Sequence, residues 1–222
     1  MSVAIPRAIA GVGRANARAT ASEVGVSRNS FAYVDGAGRR LVSVTEALKI
    51  AGLVDLSNIP SATLERARQR GVDTHSFVEG IALGLIDDET PDPRIEGYVT
   101  GFRRFVAESG FVTSAAEHRV IHATYGYAGT IDLLGEIGAA AWLLDLKATA
   151  SIPPEAKPQT AAYRMALMLT SAPRRRGVLH LRPDGAYRLD EHKNHREDEQ
   201  DFLAALRIAK WKLRHQLARL ED

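Results

Sequence analysis

The apolar positions of the chain change period several times, and each change predicts an element. Residues 140–148 read as a buried strand, because Trp142, Leu143, Leu144 and Leu146 are apolar and only Asp145 and Lys147 interrupt them. Residues 126–136 predict a second strand, and the segment from Gly135 to Ala139, with two glycines, has the length of a hairpin connection. From Ser61 to Leu85, Leu64, Ala67, Gly71, His75, Val78, Ala82 and Leu85 recur at spacings of three and four, which predicts a helix with one buried face. A further helix is expected over Gly97–Ser109, with Val99, Phe102 and Val106 inward and Arg103 and Arg104 outward. Ser114 to Thr124 leads into a strand with Glu117 at its start.

The flanking segments complete the outline. Phe31–Asp35 and Arg40–Val44 predict a hairpin around Gly36–Gly38, followed by a helix that begins near Ser43 or Thr45 and stops at Gly52. Glu46 follows Ser43 at the capping-box spacing. After a two-proline loop, Glu155–Leu169 predicts a helix, then strands over Gly177–Arg182 and Tyr187–Leu189 joined by the turn Pro183–Gly185. A last helix over Arg196–Leu220 carries Phe202, Leu206, Ala209, Leu213, Leu217 and Leu220 on one stripe. Residues 1–29, rich in Ala, Gly, Ser and Arg, are expected to form a poorly ordered arm. The expectation is therefore one α/β domain over residues 30–222: a central mixed sheet flanked by helices, with an N-terminal hairpin and helical extension.

Composition narrows the function classes. At 222 residues with 45% hydrophobic and 25% charged residues, the chain has the make-up of a globular domain. No apolar run approaches the ~20 residues that span a bilayer, and the N-terminus lacks a secretory apolar core, so a cytoplasmic protein without membrane contact is expected. The absence of cysteine removes thiolate nucleophiles, Cys-type zinc sites and iron–sulfur clusters. A net charge of +2 is too small for a strong global field, so any nucleic-acid surface has to come from local clusters such as Arg174, Arg175 and Arg176.

The candidate chemistry sits between Tyr125 and Tyr163. Side chains two apart on a strand share a face, so Asp145 and Lys147 project together. Burial of unpaired charge is costly, and a carboxylate beside an ammonium suits a metal ion next to an activated water. The hairpin would bring Asp132 beside Asp145, and two such carboxylates repel unless a cation sits between them; Mg²⁺ or Mn²⁺ resolves the conflict. Gly129 leaves either a hairpin glycine or a bare strand face for a phosphate backbone. His75 is either a core histidine bonded to a carbonyl or an imidazole presented to the metal, with Glu79 one turn on. Gln159 and Tyr163, one turn apart, would orient a DNA strand and bond the carboxylates.

Taken in order, His75 within RGVDTHSFVEG, Glu117, the GTID ending at Asp132, the DLK of Asp145–Lys147 and the QTAAY of Gln159–Tyr163 resemble the RecB-type branch of the PD-(D/E)XK nucleases, phage and prophage members included. The likeness covers about residues 40–190. It implies a restriction-endonuclease-like core and a metal bound by His75, Asp132, Asp145 and the carbonyl of Leu146. It further implies that Lys147 orients or activates the attacking water, that Glu117 matches an acid often found before the GxxD strand, and that Gln159 and Tyr163 support the site and contact DNA. The proline that precedes the first acid elsewhere in the family is missing.

The implied activity is Mg²⁺-dependent DNA hydrolysis, with Mn²⁺ able to substitute, by an exonuclease of phage or bacterial recombination and repair. A structure-specific or restriction-like endonuclease, and a catalytically silent DNA-binding accessory protein, are the alternatives. A recombinase, a single-strand-binding protein or a second copy of the chain are the partners such a role would bring.

Overall fold

A short hairpin opens the described chain. Tyr33–Val34 (β1) pairs antiparallel with Arg40–Ser43 (β2), and Ser43 then starts the helix Val44–Ala51 (α1). Ser43 Oγ accepts from the Glu46 amide at 3.1 Å, and the Glu46 carboxylate accepts from the Ser43 amide at 2.8 Å. Gly52, at φ 97°, ends the helix in the left-handed region that glycine enters without strain. This computed structural model describes residues 33–55, 57–87, 89–167, 173 and 175–220. The expected arm 1–29, Phe31, the last two residues of the Glu155–Leu169 helix and Arg174 lie outside them.

The remaining elements are Ser61–Ala82 (α2), Glu96–Ser109 (α3), Val112–His122 (β3), Tyr127–Ile137 (β4), Ala140–Lys147 (β5), Ala156–Leu167 (α4), Arg175–Leu181 (β6), Tyr187–Glu191 (β7) and His195–Arg214 (α5). The seven strands form one mixed sheet in the order β1-β2-β4-β5-β6-β7, with β3 on the other edge of β4. Two cores lie on its faces. Val44, Leu48, Tyr127, Ile131, Leu143, Tyr163, Phe202 and Leu206 pack together under α1, α4 and α5. Val78, Phe102, Phe105, Leu133, Leu144, Leu146, Leu179 and Leu181 pack under α2 and α3. This is the α/β architecture expected of a restriction-endonuclease-like core, a mixed sheet flanked by helices.

Several boundaries differ from the expectation. Gly135 is a strand residue paired with Trp142, and the connection is the tight turn at Gly138 and Ala139. A side chain at 135 would collide with the Phe111 ring and the Val112 carbonyl, which is why glycine stands there. The α2 stripe is largely half-buried: Val78 is buried, but Leu85 is 74% exposed beyond the helix end. β3 begins at Val112, so Glu117 is mid-strand and not at a strand start. The last helix stops at Arg214, because Gln216 turns left-handed at φ 58°, and Leu217 is left 64% exposed.

The edge of β4 that faces β2 and β5 positions everything that follows. It pairs with β2 through Tyr127 and Ala128, and with β5 through Leu133 to Ile137. Between those ladders, Gly129 to Asp132 face a gap where β5 has parted from β4 to continue beside β6.

Candidate metal centre

A break in strand alternation builds the centre. Ile131 and Leu133 are two apart and should share a face, yet Ile131 belongs to one core and Leu133 to the other. Val120 and Ala116 on β3 are divided in the same way. Both strands therefore change faces together. The β3–β4 ladder pairs His118 with Ile131 and Ala116 with Leu133, leaving Glu117 and Asp132 opposite each other at the changeover. Glu117 holds φ 47°, a left-handed conformation that costs a non-glycine residue about 1 kcal/mol or more and recurs at functional sites.

His75 comes to this point from α2. Its Nδ1 lies 3.4 Å from Asp132 Oδ1, and one ligand atom each from His75, Glu117 and Asp132 lie within 4.8 Å of one another. Asp132 Oδ2 accepts from the Leu146 amide at 2.6 Å. The Leu146 amide thus points into the gap, and in an extended strand the carbonyl of the same residue points to the same edge.

Asp145 and Lys147 arrive from β5 on the α4 side. Lys147 Nζ is 2.8 Å from Asp145 Oδ2 and donates to Gln159 Oε1 at 3.2 Å. Gln159 Nε2 donates to Asp145 Oδ1 at 2.8 Å and to the Tyr163 hydroxyl at 3.1 Å. Asp145 is buried, and among the described residues its Oδ2 has the ammonium nearby but no donor aligned for a hydrogen bond.

The electrostatics show an excess of negative charge. Burial pushes Asp145 up to about 6, with Asp132 adding to the rise and Lys147 opposing it. Burial would also raise Asp132, but the charge and hydrogen bond of His75, then Lys147, hold it below the usual carboxylate range. Glu117 is pushed up to about 7 by burial of its carboxyl and by Asp132 and Glu79, although the residue as a whole is exposed and solvent damps the effect. Burial would lower His75; the Asp132 charge overcomes it and brings the imidazole up to about 9. Two carboxyls raised by burial and by Asp132, an oxygen without an aligned donor and a nearby imidazole fit a divalent cation, which would lower Asp145, Glu117 and His75 again. His75, Glu117, Asp132, Asp145 and the Leu146 carbonyl are the groups that could hold it.

Other expectations need correction. The space above Gly129 is not open to phosphate: a side chain there would meet the Tyr163 ring at 2.5 Å and Val44 at 3.2 Å. Gln159 and Tyr163 are 7% and 4% exposed, so they brace the centre and do not face DNA. Arg176 is fully buried, donating to the Lys157 carbonyl at 3.0 Å and Thr160 at 2.8 Å and pairing with Asp198; it cannot reach a ligand outside. Arg175 stacks 5.3 Å from the Trp142 ring and pairs with Glu191 at 3.5 Å. Glu79, half-buried one turn after His75, is close enough to act on Glu117 but does not join the three-residue cluster.

Sequence reasoning missed Tyr33 and Thr130, whose hydroxyls meet at 2.8 Å in the gap beside Glu117 and Arg119. Nothing local marks them, since the contact exists only because β2 runs parallel to β4.

No protein-family model matches the chain, and no curated protein matches it. Among solved structures, it is similar to a protein from Eubacterium rectale provisionally named as an exonuclease, with 12% identity and a TM-score of 0.49 over 82% of this chain and 90% of that one. It is also similar to an alkaline exonuclease from Laribacter hongkongensis, at 16% identity and a TM-score of 0.35, over 78% of this chain and 93% of that one. The complex of that enzyme with dAMP gives 16% and 0.35 over 80% and 95%. These likenesses assign no residue roles.

Proposed function

We propose that the chain is a metal-dependent deoxyribonuclease that hydrolyses phosphodiester bonds, working as an exonuclease. The observation that carries this reading is the gap between β4 and β5, where His75, Glu117 and Asp132 converge beside the Asp145–Lys147 pair. A bound Mg²⁺ or Mn²⁺ would lower the pKa of a coordinated water and neutralise the scissile phosphate.

The chain's own groups then divide the work. Asp132, Asp145, Glu117, His75 and the Leu146 carbonyl would hold the ion. Lys147 is restrained between Asp145 and Gln159, so its ammonium is kept where it can orient the attacking water and meet charge developing on phosphate. Gln159 spends both ends of its amide on this pair, and Tyr163 limits its rotation. A pure DNA-binding protein has no use for three carboxylates that repel phosphate, which disfavours the accessory reading.

The reading extends to the RecB-type branch, to recombination or repair, and to a recombinase, a single-strand-binding protein or a second copy as partner. No described helix is long and apolar enough to cross a membrane. End-labelled linear DNA and closed circles, each incubated with Mg²⁺, Mn²⁺ or EDTA, test the proposal. Metal-dependent loss of linear DNA alone is the expected result. Cutting of circles would select the endonuclease, and binding without cutting in either metal would remove the enzymatic reading.

A further inference from the structure

Two cavities at the far end of β4 share a wall. One, of about 630 Å³, lies between the β1–β2 turn and α5; the other, of about 480 Å³, lies between the β3–β4 turn and α5. Lys210 and Arg214 line both, so the two form one groove from Arg39 past these residues to Arg207 and Tyr125. Asp35 is the only acid lining it among the described residues, and it is neutralised by Arg39 at 2.8 Å.

Arg40, which also lines the groove, is paired with Glu46 at 3.3 Å. Among the described residues, Arg207, Lys210 and Arg214 form no ion pair; Lys210 donates only to the Tyr125 carbonyl. Partial burial and the nearby Arg214 lower the Lys210 pKa, as expected where like charges meet without an anion. Tyr125 is 43% exposed, its ring tilted at 44° against His122 with the centroids 4.7 Å apart, and Ile121 is 45% exposed. Cations without counter-charge beside an exposed aromatic ring are the chemistry that holds a strand through its phosphates and its bases.

We infer that this groove binds single-stranded nucleic acid through Arg207, Lys210 and Arg214, with a base stacked on Tyr125. The inference takes the nature of the polymer from the nuclease reading above, but the groove is separate from the metal centre. From Gly126 to Asp132 is six residues along β4, or ~20 Å, which corresponds to about six stacked nucleotides. The groove would therefore grip the strand well away from the bond being cut and lengthen the time the enzyme stays on it.

The test is fluorescence anisotropy of a labelled 30-nucleotide strand and its blunt duplex, in EDTA, across a salt series. The probes are the wild-type protein, Arg207→Glu/Arg214→Glu, Tyr125→Ala and Asp145→Asn. Circular dichroism should show all of them folded, since among the described residues Arg207 and Arg214 form no ion pair and Tyr125→Ala gives up only the ring contact with His122. The double reversal should weaken single-strand binding at least ~10-fold and make the slope of log K against log salt shallower by about 1.4, two phosphate contacts at ~0.7 each. Tyr125→Ala should weaken single-strand binding at least ~5-fold and leave the duplex unchanged.

Affinity and slope unchanged in the double reversal, or no wild-type binding at all, overturns the groove. Equal losses for strand and duplex overturn the single-strand assignment. Asp145→Asn should keep the wild-type slope. If the wild type cuts no DNA yet the reversals still lower binding, the metal-centre reading fails and the groove stands. Cutting with binding indifferent to the reversals keeps the metal centre and removes the groove.

Discussion

Two buried charged clusters lie under α4, one strand apart, and they are built on opposite rules. On β6, Arg176 has every side of its guanidinium engaged: the Lys157 carbonyl, Thr160, Asp198 and His195 Nδ1 at 3.1 Å. On β5, Asp145 keeps an oxygen with no aligned donor and feels the charge of Asp132. The helix serves both, with Thr160 turned to the first cluster and Gln159 to the second. Burial of charge is common to the two, so burial alone does not mark function. What sets the second cluster apart is its surplus of negative charge, which the proposed cation would complete.

Removing a charge from each cluster is the most direct challenge to this contrast. Asp145→Asn or Lys147→Ala should lower metal-dependent cleavage by at least ~10²–10³-fold. For Asp145→Asn the melting temperature should stay within a few degrees, since the change also relieves repulsion with Asp132. Cleavage near the wild-type rate in either variant removes both residues from the chemistry. Asp198→Asn should do the reverse: it strands Arg176 in the core, at a cost of about 3–5 kcal/mol, so thermal unfolding should begin on the order of 10 °C lower. A wild-type melting curve for Asp198→Asn would mean that the Arg176 cluster is not holding α4 and α5 to the sheet.

A smaller effect defines the ligand set more closely. Glu117→Gln keeps the shape of the strand but withdraws one carboxylate from the three-residue cluster. Calorimetric titration should then show Mn²⁺ affinity down by ~10-fold or more. His75→Ala should lose affinity too, and part of its activity should return in Mn²⁺, which accepts nitrogen neighbours more readily than Mg²⁺. Identical titration curves for wild type and Glu117→Gln would leave Glu117 as a strained strand residue without a role in binding.

How much of this was legible along the chain depended on how far apart the interacting residues are. The capping box of Ser43 and Glu46, the β4–β5 hairpin and the projection of Asp145 with Lys147 follow from spacings of two or three residues, and the structure keeps them. The face change at Glu117 and Asp132 was not legible, because it requires β4 to serve β2 and β5 on one edge and leave a gap between them. Nor was the fate of the arginine run. Arg176 reads as a surface cation until Asp198, 22 residues on, is known to lie against it. Gly129 was misread for the same reason, since the ring that fills its space belongs to Tyr163 on another element.

The smallest expected effect concerns pH and contrasts the clusters by sign. His192 is buried beside Arg176: its Nδ1 meets Thr160 Oγ1 at 2.9 Å, and its Nε2 has no hydrogen-bond partner among the described residues. Burial, then the Arg176 charge, lowers its pKa to about 4, against 6.5 for a free imidazole. Between those values the unfolded chain binds more protons than the folded one, so this residue's contribution is complete above pH 6.5 and is lost as pH falls toward 4. Asp145 runs the other way. With its pKa raised from 3.8 to about 6, the folded protein binds more protons in that window, and the metal-free protein is weakened as pH rises through it. Melting temperatures between pH 4 and 7 in EDTA separate the two. The deficit of His192→Gln relative to wild type should shrink on acidification, by on the order of 1–2 kcal/mol across the window. The advantage of Asp145→Asn over wild type should also shrink on acidification, because protonated Asp145 no longer repels Asp132. A His192→Gln deficit that stays constant from pH 7 to 4 would show that the imidazole titrates freely, and would remove the contrast between a cluster that excludes protons and one that retains them.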